Sequence, residues 1–426
     1  MLSIRKIAVL GANGTMGSLC GGLFAQAGVT CYFFARDLEK ANAGIKAAIS
    51  QARSEVLRNH LVPKTYEELA AILPECDWIL EALPDDLLIK REYLNRVNEL
   101  RHSQSIVSTI TRFLSIHKIA EGFPENFQQH FLGTLFYNPP SRFRALELIF
   151  HEKFSQEKRS YILHFCEKNL LCAPLVSYDR PGFTGYRIVF PLLNGAAQWA
   201  QKHGAAKIDY LLGGYTGRAL PPLAMIDAFG VDTYITMMET ISQAPKDENP
   251  DLRKPPDYLI AMRNEGLLGQ KTKGGFFRRD SEKNLLELDP HTLKYVGTSS
   301  YRLEWVEKAK EHIHNGLYHK AMEILTTAEG EEAELVRRFL LGYISYAFHR
   351  IGEVTSKEDF IHSIDRAMSY GFAWLPPSGW VDLLGGAKKT VALMEKAGLP
   401  IPESLKNSPE GRLCRIREVT RFLVVD

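Results

Sequence analysis

Gly11, Gly14 and Gly17 stand three residues apart directly after a short apolar run, Ile7-Ala8-Val9-Leu10. Glycine lets a backbone come close to a diphosphate, and a helix that starts there offers free N–H groups and its positive dipole end. The chemistry served by such a turn is the holding of a dinucleotide, with Gly11, Gly14, Thr15, Met16 and Gly17 as candidate contacts. The spacing is Gly-x-x-Gly-x-x-Gly, one residue longer than Gly-x-Gly-x-x-Gly, and glycines alone are a weak signal. The elements around them strengthen it. Leu19, Leu23, Phe24 and Ala27 form a helical apolar face, Gly28 suits a helix C-cap, and Val29-Thr30-Cys31-Tyr32-Phe33-Phe34 reads as a second strand. Strand, turn, helix and strand within about 30 residues is the context that a dinucleotide site requires.

At the end of the second strand an acid would hold the ribose hydroxyls of NAD and repel a 2′-phosphate. This chain has Ala35-Arg36-Asp37 there, a small residue followed by a cation. Ala35 and Arg36 therefore point to NAD(P) with NADP(H) preferred, although a strand end shifted by one residue would restore an acid at Asp37. Asp77–Leu83 and Ser105–Thr109 read as later strands. Asp85, Asp86 and Lys90 open the helix between them, as helix caps or, for Asp85 and Lys90, as cofactor contacts.

A chain of 426 residues implies two or three domains, and 45% hydrophobic with 24% charged residues at a net charge of +2 is an ordinary globular composition. No basic cluster suggests nucleic acid, and no apolar stretch approaches the ~20 residues of a membrane span. The N-terminus enters a strand at once, leaving no room for a signal peptide, so a cytoplasmic protein is expected. The six cysteines form no Cys-x-x-Cys pair, and the 13 histidines show no metal-ligand spacing.

Several further segments, in order, carry a resemblance. They include Glu81-Ala82-Leu83-Pro84-Asp85-Asp86, Leu135-Phe136-Tyr137-Asn138-Pro139, Leu146-Glu147-Leu148-Ile149, Arg180-Pro181-Gly182-Phe183, and the run from Asn264 to Phe277. The chain resembles the 3-hydroxyacyl-CoA dehydrogenase family over nearly its whole length, in particular bacterial β-oxidation proteins with duplicated C-terminal domains. That resemblance implies a Rossmann-type doubly wound parallel sheet followed by helical domains, and a CoA thioester as the small-molecule substrate. In the family a histidine oriented by a glutamate removes the hydroxyl proton as hydride leaves for nicotinamide. The glutamate matches Glu147 and an asparagine matches Asn138. The histidine position holds Leu135, a serine position holds Arg112, and a second asparagine position holds Tyr186.

Leucine cannot move a proton. The resemblance therefore implies either an oxidoreductase with altered proton chemistry, using Tyr137 or Tyr186, or a non-catalytic member that binds nucleotide or acyl-CoA. Glu147, deprived of imidazole, should find a cation, and Arg112 is the expected partner.

Ile208-Asp209, Leu220-Pro221-Pro222 and Asp227 recur as Ile364-Asp365, Leu375-Pro376-Pro377 and Asp382, offset by 155 or 156 residues. The expected organisation is a Rossmann-type domain over 1–179 and two homologous helical domains over 180–298 and 299–426. Residues 280–300 read as a polar linker, and Trp305, Ala309, Ile313 and Leu317 as one helix restarting the repeat. A second copy could occupy a homodimer partner's place, which favours a monomer over the family's homodimer.

Overall fold

The computed structural model describes residues 3–245 and 247–425. They form two compact units, Met1–Phe183 and Thr184–Asp426.

The first unit is built on an eight-stranded sheet. Its strands are β1 (Lys6–Leu10), β2 (Thr30–Ala35), β3 (Leu61–Thr65), β4 (Trp78–Glu81), β5 (Ile106–Thr109), β6 (Phe131–Phe136), β7 (Ala145–Phe150) and β8 (Ala173–Val176), in the order β3-β2-β1-β4-β5-β6-β7-β8. The first six are parallel; β7 runs antiparallel to β6, and β8 parallel to β7. The apolar runs expected of doubly covered strands are fully enclosed, Ile7 to Leu10 being 0% exposed. Helices α1 (Thr15–Gln26) and α2 (Leu38–Ala52) follow β1 and β2. Phe24 of α1 meets Trp78 edge-on at 5.3 Å and stacks with Phe165 at 6.1 Å. Each such ring contributes roughly 1.5–3 kcal/mol by burial. The Trp78 indole N–H donates to Ser108 Oγ at 2.7 Å, so its polar edge is satisfied within the core. The strand order reverses between β1 and β4. In open α/β sheets the crevice beyond the carboxyl ends of such a pair is where ligands bind.

The second unit is helical, and the repeat in sequence is a repeat in contacts. Asp209 accepts from the backbone N–H groups of Leu223 and Ala224 at 2.8 and 2.9 Å, capping the helix that begins at Pro222. Asp365 accepts from Ser378 N–H at 3.3 Å and from its hydroxyl, at the start of the helix Pro377–Leu383. Asp227 accepts from Phe276 and Phe277 N–H, and Asp382 from Leu413 and Cys414 N–H. The copies also meet directly: Arg218, two residues before Leu220, forms a β-bridge with Trp374, one residue before Leu375.

Two stretches differ from expectation. Residues 280–300 are not a plain linker: Phe277–Arg279, Leu285–Leu288 and Tyr295–Gly297 form a small antiparallel sheet. Asp280 makes its turn by accepting from Glu282 and Asn284 N–H, and Leu288 is buried. The helix of Trp305, Ala309 and Ile313 stops at His314, Gly316 turns the chain at φ 72°, and Leu317 caps a separate helix, Tyr318–Thr327. The apolar tail is packed at Phe422 and Leu423, and Val424 N–H donates to Gly214 O at 3.0 Å. All six cysteines are free and buried. Among the described residues no helix is long and apolar enough to cross a membrane.

Burial pushes the Asp365 carboxyl up to about 8, against an unfolded value of about 3.9. Between these values the native chain keeps a proton that the unfolded chain releases, so this group's contribution to stability falls as pH rises from about 4 to about 8. Asp365→Asn removes that titration and keeps an acceptor for Ser378. The variant's melting temperature should therefore decline less from pH 5 to pH 8 than the parent's. Parallel slopes in thermal unfolding would contradict this assignment.

Candidate active site

A cleft of about 570 Å³ opens at the carboxyl ends of β1 and β4. Gly11 leaves β1 with φ 76°, and a Cβ on it would lie 2.7 Å from Ala82 O. A Cβ on Gly17 would lie 2.3 Å from Gly11 O. The turn is thus squeezed between backbone on both sides, which is why glycine stands at both places. Helix α1 starts from Gly14 with no side chain capping it, leaving its first N–H groups for a ligand. Gly11, Gly14, Thr15 and Met16 line the cleft. Gly17 acts beneath it, letting the helix close on the turn.

Ala35, buried, ends β2, and it is Arg36 and Lys40 that reach the cleft. Asp37 is turned away. It caps α2 by accepting Lys40 N–H at 2.8 Å and pairs with Lys40 Nζ at 2.7 Å, and the Lys40 contacts hold its carboxyl below the usual carboxylate value. The shift that would have placed an acid against a ribose does not occur. Tyr66 closes another side, its hydroxyl accepting Gly11 N–H at 3.0 Å and its ring stacked on Phe34. Burial pushes this phenol up to about 12, so it is neutral.

Asp85 ties two rims of the cleft together, accepting from Thr111 Oγ1 at 2.5 Å and from Arg112 N–H at 2.9 Å. Arg112 lines the cleft with its guanidinium 5.3 Å from the Phe113 ring centroid. Among the described residues it makes no ion pair, so the expected Arg112–Glu147 pair is not formed. Lys90 also departs from expectation. It is 0% exposed, and its ammonium donates to both Glu81 oxygens at 3.0 Å, to Leu83 O at 3.3 Å and to Ile110 O at 2.8 Å. A buried ammonium with these acceptors is committed to them; Lys90 holds the ends of β4 and β5 together and does not line the cleft.

Glu147 lies on β7 directly across from Leu135 of β6. Directly paired residues share a face, so an imidazole at 135 would stand beside this carboxylate. Leu135 is 1% exposed and Glu147 0%. Glu147 instead receives Tyr137 OH and Ser177 Oγ, each at 2.5 Å on a different carboxylate oxygen. Asn138 follows β6, exposed, before a cis bond to Pro139. Tyr186 belongs to the second unit, where it meets the rings of Phe190, Phe229 and Phe372 edge-on at 5.3, 6.2 and 5.9 Å.

Residues 6–170 match the NAD-binding domain of 3-hydroxyacyl-CoA dehydrogenase, and residues 182–279 match that family's C-terminal domain. The chain belongs to the 3-hydroxyacyl-CoA dehydrogenase family. A probable 3-hydroxyacyl-CoA dehydrogenase of Bacillus subtilis is 28% identical over 95% of this chain, which spans only 54% of that relative's length. The fatty acid oxidation complex subunit alpha of Psychrobacter cryohalolentis is 31% identical over 66% of this chain and 39% of its own. In fold, the chain is similar to the crystal structure of 3-hydroxybutyryl-CoA dehydrogenase from Escherichia coli K12, with a TM-score of 0.69 at 17% identity, covering 95% of this chain and 96% of that one.

Within this family member, three groups escaped the reading of motifs. Lys40 lies in the first turn of α2, four residues after Arg36, and reaches the cleft only because that helix starts at Leu38. Tyr66 and Ser177 reach Gly11 and Glu147 only through the folding of the sheet, and no local pattern marks them.

Proposed function

We propose that the chain is an NAD(P)-dependent oxidoreductase of 3-hydroxyacyl-CoA dehydrogenase type, acting on a 3-hydroxyacyl- or 3-ketoacyl-CoA or a related compound, with Tyr137 working in place of the family's imidazole. The observation that carries it is the hydrogen bond from Tyr137 to buried Glu147 beside Leu135. When bound, the nicotinamide supplies the hydride acceptor. Tyr137 oxygen accepts the substrate's hydroxyl proton while its own proton passes to Glu147, so the carboxylate is the terminal base and Ser177 holds it in place. Gly11, Gly14, Thr15 and Met16 cradle the diphosphate, Asp85 fixes the rim, and Arg112, Asn138 and Tyr186 are assigned to substrate. Cytoplasmic location and a monomeric state belong to the same reading; the direct contact between the two helical copies at Arg218 and Trp374 supports the latter.

NADP(H) is the proposed preference, because Arg36 and Lys40 face the cleft and Asp37 does not. A charged hydrogen bond contributes ~1.5–3 kcal/mol, so Arg36→Ala should weaken NADPH binding about tenfold or more and leave NADH nearly unchanged. Fluorescence titration of both cofactors checks this, and tighter NADH binding by the parent would reject it.

A second reading, a non-catalytic member that binds nucleotide or acyl-CoA, is favoured by Leu135. Acetoacetyl-CoA with NADH or NADPH separates the two. The first reading expects turnover, slower than that of histidine-bearing relatives by ~10²–10⁴. Nucleotide binding without turnover supports the second.

A further inference from the structure

A second cavity, of about 660 Å³, lies on the first unit and shares no residue with the dinucleotide cleft. On its wall His117 and His151 stand parallel, ring centroids 5.8 Å apart and planes within 7°. Arg159, from the helix Gln156–Lys168, lies over the Phe150 ring at 4.6 Å, and Arg180 completes the rim. Among the described residues neither guanidinium has a hydrogen-bond or ion-pair partner, and Arg159 Nε is buried without one.

The acids nearby do not answer this charge. Asp179 already accepts Ser115 Oγ at 2.7 Å and His117 N–H at 2.8 Å, at the start of a helix. Glu152 is exposed, and among the described residues it makes no ion pair. A half-buried cation without a counter-charge is costly, and an unsatisfied buried donor calls for a bound water or ion. Burial, with Arg159 bearing the desolvation, holds that guanidinium below its ordinary value. An anion would reverse the penalty.

We propose that this cavity binds a small anion through a carboxylate or phosphoryl group, with Arg159 and Arg180 as the clamp and the paired imidazoles of His117 and His151 as flanking donors. Planar guanidinium groups suit both oxyanions, and the stacked rings form a wall against which a short organic body packs. Ser177 lines the same cavity while donating to Glu147, so an occupant lies one side chain from the candidate active-site carboxylate.

Isothermal titration of the full chain with inorganic phosphate and with succinate, each with and without NADPH, tests the site. At least one anion should bind one-to-one, unaffected by NADPH, and should weaken tenfold or more in Arg159→Gln and in Arg180→Gln. Binding of phosphate alone identifies the phosphoryl class, and of succinate alone the carboxylate class. Absence of saturable binding by either up to about 10 mM, affinity unchanged from the parent in both variants, or displacement by NADPH would overturn the proposal. Arg180 is exposed, so its variant remains informative if Arg159→Gln fails to fold.

Discussion

Gly17→Ala should abolish measurable dinucleotide binding, weakening it by at least about 100-fold. The added Cβ would stand 2.3 Å from Gly11 O, 2.9 Å from Gly11 C and 3.0 Å from Ala12 Cα. All three are backbone atoms, so no side chain can swing aside. Either α1 lifts from the turn or the turn is displaced, and both separate Gly14, Thr15 and Met16 from a diphosphate. Losing several aligned N–H donors at ~1.5–3 kcal/mol each for a charged acceptor exceeds the 2.7 kcal/mol that corresponds to about 100-fold. Gly28→Ala is the control. Gly28 has φ 80° but no atom within 4 Å of an added Cβ, so alanine there meets only backbone strain of ~1–2 kcal/mol, far from the cleft. That variant should melt lower and bind nucleotide like the parent. Tryptophan fluorescence titration with NADPH and NADH, alongside thermal melts, reads both effects. Binding by Gly17→Ala within a few-fold of the parent would show that the turn does not cradle the cofactor.

The parallel sheet was legible because its strands carry short continuous apolar runs between a glycine turn and amphipathic helices, a pattern that depends on neighbours in sequence. The helical repeat was legible because Asp209 and Asp365, and Asp227 and Asp382, keep their place relative to Pro-Pro helix starts; each caps backbone N–H groups that nothing else satisfies. What stayed hidden depends on distant segments meeting. Lys90 looked available because helix-opening charges normally face water, yet Glu81, Leu83 and Ile110 converge on it from two strand ends. Arg112 looked like a partner for Glu147 because both positions belong to one family site. The register of β6, β7 and β8 instead brings hydroxyls from Tyr137 and Ser177 to that carboxylate. The hairpin at 285–288 was hidden by the charged turn that makes it, Asp280 to Asn284.

Leu135→His should raise kcat/KM on acetoacetyl-CoA about 10–100-fold and still fall short of histidine-bearing relatives. The cross-strand pairing places residue 135 beside Glu147, so the new imidazole gains an orienting carboxylate without any movement of backbone. General acid–base groups supply ~10²–10⁴ in rate. The gain is smaller here because the hydroxyls of Tyr137 and Ser177 already occupy Glu147. Burying an imidazole where leucine is 1% exposed should also cost ~1–3 kcal/mol of stability, visible as a lower melting temperature. Tyr137→Phe sharpens the test. In the parent it removes the proposed proton carrier and should lower turnover by ~10² or more; in Leu135→His it should cost far less, since the imidazole then bridges substrate and Glu147. The rescued variant should further acquire a pH dependence near ~6.5, the ordinary imidazole value, which the parent lacks. Full rescue by Leu135→His alone would show that the hydroxyls on Glu147 do not limit the restored imidazole. Equal effects of Tyr137→Phe in both backgrounds would remove the phenol from the proton path, because two groups that share one task cannot lose it independently.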